Sequence, residues 1–164
     1  EDFRDNLKTP DLFFQELNKL FCILARPDEH FATATLLLLN ARTGELQYVV
    51  AGHPPPIVLR ADGSSEILPG RCPALGLIDG MTYEITQAAL ALGDTLVLYT
   101  DGATEIFSSE NTELEEEGLL DILQQSNDLA TGIKLDRVEE ALVKYNGELR
   151  LQDDLTLLTI RRNE

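Results

Sequence analysis

Two aspartates stand where side chains can do chemistry. Asp101 closes the run Thr95 to Tyr99, a string of β-branched, aromatic and aliphatic residues, and Gly102 follows it. Such a run after a Gly-Asp turn reads as a buried strand with a carboxylate at its C-terminal end. A glycine next in line lets the backbone turn sharply or approach a ligand closely. A second pair, Asp153-Asp154, precedes another apolar run, Leu155 to Ile160. If the two strands are neighbours, Asp101 and Asp153 share one divalent cation. Hard cations such as Mg²⁺ and Mn²⁺ choose carboxylate and water oxygens. Held there, a cation activates water and neutralises a phosphoryl group. The competing reading is plain: an Asp-Gly after a strand also serves simply as a turn.

The other chemically able residues have weaker cases. Asp94 follows Gly93 and reads first as a turn residue. His53 lies in Gly52-His53-Pro54-Pro55-Pro56, as a base, a ligand or a hydrogen-bonded loop histidine. His30 reads as a surface residue. Thr156 is placed to hydrogen-bond near Asp153, though a strand threonine needs no function. Cys22 and Cys72 are far apart and match no metal spacing, which favours reduced core thiols of a cytosolic protein. No Gly-rich phosphate loop, Ser-His-Asp order or Cys-His pair stands out.

The elements that must position these residues follow from local pattern. Thr9-Pro10-Asp11 starts a helix. Its apolar face is expected at Phe13, Leu17, Leu20, Phe21 and Leu24, and Pro27 ends it. Residues 1–8 read as the tail of an earlier helix. Strands are expected over Phe31–Leu39 and Leu46–Ala51, joined by a hairpin loop at 40–44. Ile57–Leu59 and Glu66–Leu68 flank a turn at 61–64. Residues 69–81 read as loop, and Thr82–Thr86 as an edge strand. The acidic run 110–117 reads as a solvated face or flexible loop. Leu119, Leu120, Ile122 and Leu123 give a short helix. Leu135, Val138, Leu142 and Tyr145 mark another, ended by Asn146-Gly147. The last strand, Leu155–Ile160, is apolar almost throughout and is therefore expected in the centre of a sheet. The order is helix, many antiparallel strands, two helices, strand: an α+β fold.

Length and charge bound the partners. A chain of 164 residues suffices for one domain with a real core, taken as 1–164. With 29 acidic and 13 basic residues the net charge is −16. Phosphate-backbone binding needs clustered Lys and Arg, so the composition argues against a nucleic-acid partner. A cation is the easier partner. No run approaches the ~20 apolar residues of a membrane helix, and no signal-peptide pattern is present. The chain begins at Glu1 without Met, which suggests a piece of something longer.

Several stretches together resemble one family, the bacterial PP2C-type serine/threonine phosphatases of the SpoIIE/RsbU kind. They are Phe31-Ala32-Thr33-Ala34-Thr35, Asn40 to Tyr48, Ala51-Gly52-His53-Pro54-Pro55-Pro56, Leu75-Gly76-Leu77, Leu92-Gly93-Asp94, Leu98-Tyr99-Thr100-Asp101-Gly102-Ala103-Thr104-Glu105 and Gln152-Asp153-Asp154-Leu155-Thr156. The resemblance implies an antiparallel β-sandwich flanked by helices and a binuclear Mn²⁺ or Mg²⁺ site. There, metal-activated water attacks phosphoserine or phosphothreonine without a phosphoenzyme. In that pattern Asp101 and Asp153 are metal ligands, and Gly102, Asp154 and Thr156 are supporting positions. The implied substrate is a phosphorylated anti-sigma-factor antagonist in a cytoplasmic signalling pathway of the stress-response kind, usually behind a sensor or receiver module. The family's opening GD-x-SGHG motif has no counterpart here. The expectation is therefore a domain lacking its opening strands and first helix, with the motif upstream in a longer parent. The alternative is a degenerate pseudo-phosphatase acting as an adaptor in a response regulator. Sheet edges left open would be covered by pairing between two copies.

Overall fold

A computed structural model describes residues 9–24, 31–147 and 153–163. The expectations placed on residues 1–8, Pro27, His30 and Gln152 lie outside these. In order, the elements are α1 (Pro10–Leu24), β1 (Ala34–Leu39), β2 (Glu45–Ala51), β3 (Ile57–Leu59), β4 (Ser65–Ile67), β5 (Thr86–Ala89) and β6 (Thr95–Tyr99). A 3₁₀ turn follows at Asp101–Ala103, then α2 (Glu115–Ser126), β7 (Asn127–Asp128), β8 (Gly132–Ile133), α3 (Leu135–Asn146) and β9 (Leu157–Arg161). This is α+β; among the described residues the paired strands are antiparallel, and one isolated bridge, Ala51 to Cys72, is parallel. The chain forms two compact units, one from the chain up to Pro55 with Pro69–Ala89, the other from Pro56–Leu68 with the chain from Leu90 onward.

The first unit is a three-stranded sheet, β1-β2-β5, with α1 against it. The β1–β2 hairpin closes where expected. Asn40 Oδ1 accepts from the amides of Arg42 (3.1 Å) and Thr43 (3.2 Å), and Gly44 takes a φ of +79° that a side chain would resist. Phe14 of α1 is buried among Val49, Ala51, Leu75 and Tyr83, with Phe13, Leu17 and Phe21 at its margins.

The helix is rotated from the expected face. Its buried stripe is Pro10, Phe14 and Asn18, while Leu20 is 38% and Leu24 77% exposed. The reason is Asn18. Its Nδ2 donates to Ile78 O (2.9 Å), and its Oδ1 accepts from Gly76 N (2.8 Å) and Tyr83 OH (3.2 Å). A polar residue with such partners is buried at little cost. The edge strand also shifts, forming at Thr86–Ala89 rather than Thr82–Thr86. Tyr83 is taken into the core instead, edge-on to Phe14 at 5.5 Å.

The second unit is a four-stranded sheet in the order β4-β3-β6-β9. Ile57, Leu59, Val97 and Tyr99 project from one face, and α2 and α3 cover them with Leu119, Leu123, Val138 and Leu142. Gly147, at φ +72°, ends α3 as expected. The acidic run is not all loop: Glu115, Glu116 and Glu117 form the first turn of α2, where carboxylates oppose the positive end of the helix dipole. The last strand is also corrected. Among the described residues β9 pairs with β6 alone and ends the ladder, and Leu158 is 53% exposed. An apolar run does not by itself distinguish a central strand from an edge strand with one covered face.

Candidate functional site

Strand β6 is held by the core on one side and paired on both edges, so its C-terminal end is a fixed platform. Tyr99 is buried; Thr100 leaves the strand; the chain then tightens into the 3₁₀ turn at Asp101. The Asp101 carbonyl accepts from Thr104 N (2.8 Å), Glu105 N (2.9 Å) and the Thr104 hydroxyl (3.1 Å). Gly102, Ala103 and Thr104 are buried, whereas Asp101 is exposed, its Oδ1 accepting from Gly102 N at 3.0 Å.

The segment before β9 is packed onto this turn. Thr100 N donates to Thr156 O (3.1 Å), and Thr156 N donates back to the Thr100 hydroxyl (3.0 Å). That hydroxyl donates to Asp154 O at 3.3 Å. Gly102 is where the two segments are closest: a β-carbon there would lie 2.5 Å from Asp154 O and 3.6 Å from the Asp153 Cβ. Asp153 is exposed, its Oδ1 accepting from Asp154 N at 2.7 Å. The fold thus brings the Asp101 turn and the Asp153 segment together within one unit. Gly102, Asp154 and Thr156 meet there through backbone, not side chains.

The donor chemistry of two exposed carboxylates is the kind a hard cation takes. Mg²⁺ is commonly held by one or two carboxylates, with waters and substrate phosphate oxygens completing its shell. No group of three or more His, Cys, Asp or Glu able to hold a metal occurs among the described residues.

Asp94 and His53 have other surroundings. Asp94 is 1% exposed; its Oδ2 accepts from the Arg60 guanidinium (2.7 Å) and Ala91 N (2.8 Å), its Oδ1 from Ala61 N (2.9 Å). It fastens the turn before β6 to the end of β3. His53 belongs to the first unit, half-buried, its Nδ1 3.2 Å from the Thr33 hydroxyl. Thr100 is the contact that pattern reading passed over; a threonine at a strand end carries no signal beyond its place before Asp101.

The α+β fold with its paired aspartate loops has known counterparts. The chain belongs to the SpoIIE family (Stage II sporulation protein E), which matches residues 1–163. It is 29% identical over 134 residues to Protein IcfG of Synechocystis, covering 81% of this chain and 21% of that protein. It is 27% identical over 100 residues to the phosphoserine phosphatase RsbP of Bacillus subtilis, covering 59% and 25%. The chain thus spans about a quarter or less of the length of these relatives. Its fold is that of the PP2C phosphatase domain of B. subtilis SpoIIE, with a TM-score of 0.76 at 17% identity over 97% of this chain and 48% of that one. That phosphatase domain has also been solved from Mn-presoaked crystals. No helix among the described residues is long and apolar enough to cross a membrane.

Proposed function

We propose that residues 1–164 are part of a metal-dependent phosphatase domain that removes phosphate from serine or threonine of a bacterial regulatory protein, of the anti-sigma-factor-antagonist type. The observation that carries this is that the segments bearing exposed Asp101 and Asp153 are fastened together through Thr100 and meet backbone to backbone at Gly102. The likeness to a phosphoserine phosphatase and to the fold of a PP2C domain supports the same reading.

In this reading Asp101 and Asp153 hold Mn²⁺ or Mg²⁺. When bound, such an ion supplies Lewis-acid charge at phosphoryl oxygens and lowers the pKa of water. The chain's own residues do the positioning. The 3₁₀ turn keeps the Asp101 carboxylate outward, and the amide of Asp154 orients the Asp153 carboxylate. With a net charge of −16 the surface repels a phosphate dianion, so an approaching phosphoryl group is drawn only where a cation sits.

The test is hydrolysis of a small aryl phosphate with and without Mn²⁺, by this chain and by its longer parent. Mn²⁺-dependent turnover that Asp153→Asn lowers about 100-fold or more is the expected result. Unchanged Mn²⁺-dependent activity in that variant overturns the assignment. The absence of a three-ligand group among the described residues favours one other reading, a pseudo-phosphatase serving as an adaptor. Normal folding with no turnover in either form selects it.

A further inference from the structure

We propose that Thr100 is the positioning residue of the paired-carboxylate site: its hydroxyl sets where Asp153 is held opposite Asp101. This rests on the metal reading above and names the group on which that site's geometry depends. A threonine hydroxyl donates once and accepts up to twice. Here it accepts from Thr156 N at 3.0 Å and donates to Asp154 O at 3.3 Å. The Asp154 amide in turn donates to the Asp153 carboxylate at 2.7 Å. Two hydrogen bonds therefore link the Thr100 hydroxyl, through the backbone of Asp154, to the Asp153 carboxylate. Thr100 is also covalently next to Asp101, so one residue governs both carboxylates. Pairing of β9 with β6 starts only at Leu157. Asp153 to Thr156 lie beyond that ladder, where Leu155 rests on the helix-covered core and Thr100 supplies the polar fastening.

The position of Gly102 makes the fastening exacting. With Asp154 O only 2.5 Å from where a β-carbon would stand, the segments touch backbone to backbone. Nothing between them absorbs a shift, so loss of the hydroxyl is felt directly at Asp153. Partners that orient metal ligands change metal affinity typically 10–100-fold when removed.

Thr100→Val keeps the shape and removes the hydroxyl; Thr100→Ser keeps the hydroxyl. Two readouts are compared: hydrogen exchange of the Thr156 amide, and Mn²⁺ titration followed by paramagnetic broadening of the Gly102 and Asp154 amide signals. Thr100→Val is expected to exchange Thr156 about 10-fold faster or more and to need about 10–100-fold more Mn²⁺ for half-broadening. Its thermal melt stays cooperative. Thr100→Ser restores both readouts to within about threefold of wild type. A wild-type Mn²⁺ midpoint in a folded Thr100→Val overturns the proposal, as does a Thr100→Ser that fails like Thr100→Val. If Thr100→Val loses its melt, Thr100→Ala replaces it in the same comparison. If wild type shows no Mn²⁺ broadening at these amides, the metal reading falls. The exchange arm then decides the fastening alone: faster Thr156 exchange upholds it and unchanged exchange overturns it.

Discussion

Asp94 and Asp101 flank the same strand and do opposite things. Asp94 is buried and its carboxylate is met by three donors, one of them the Arg60 guanidinium. Asp101 is exposed, and its carboxylate is bonded to the amide of its own loop. Replacing Asp94 by Ala leaves the Ala61 and Ala91 amides without their acceptor and takes one of two carboxylates from the Arg60 guanidinium, which keeps Glu66. Losing the acceptor of these amides and one ion-pair partner costs about 2 kcal/mol, and Asp94→Ala is expected to lower the urea midpoint accordingly. Mn²⁺ broadening at Gly102, per folded molecule, stays as in wild type. A midpoint unchanged from wild type would refute the fastening role. In the sequence the two aspartates look alike, each beside a glycine at a strand end. What separates them is burial and a partner distant along the chain, and neither is written locally. The Asp101 and Asp153 neighbourhoods were readable because both close or open apolar runs. Thr100 was not, because its importance lies in Thr156 and Asp154.

Helix α1 shows how one polar side chain sets the facing of a whole segment. Of the expected face, Phe13, Leu17 and Phe21 pack at the margin of the core while Leu20 and Leu24 stay exposed, and the buried stripe runs through Phe14 and Asn18. Asn18 ties α1 to the Gly76–Ile78 loop and to Tyr83. Asn18→Leu suits the helix and keeps the volume, but strands Gly76 N and Ile78 O. The expected loss is about 2 kcal/mol, seen as a lower urea midpoint. Faster amide exchange at Gly76 would accompany it. Equal or higher stability would mean that packing alone orients α1. Hairpins and helix ends were legible because their glycines and caps act over a few residues, as at Gly44 and Gly147. The displaced β5 and the single-sided β9 were not. Tyr83 is drawn inward by Phe14, and the neighbours of β9 depend on which strands come to lie beside it, which no local run encodes.

Charge acts on everything at once. With 29 acids against 13 bases, the folded chain repels itself. Raising NaCl from about 10 mM to 150 mM shortens the screening length from ~30 Å to ~8 Å, and the thermal midpoint is expected to rise by a few degrees. A midpoint that falls with salt would show that attractive pairs such as Arg60–Asp94 outweigh the repulsion. The path of the chain matters as much as its charge. It leaves the first unit after Pro55, returns at Pro69 and leaves again at Leu90. Strand β3 must wait for β6, and β6 for β9. During synthesis, then, the β3–β4 hairpin emerges from the ribosome long before the strand it pairs with. Asp153 emerges later still, after both covering helices. A nascent or prematurely terminated chain carries Asp101 without its companion. The meeting of the Asp101 turn with the Asp153 segment is therefore withheld until the stretch from Asp153 through β9 has been made.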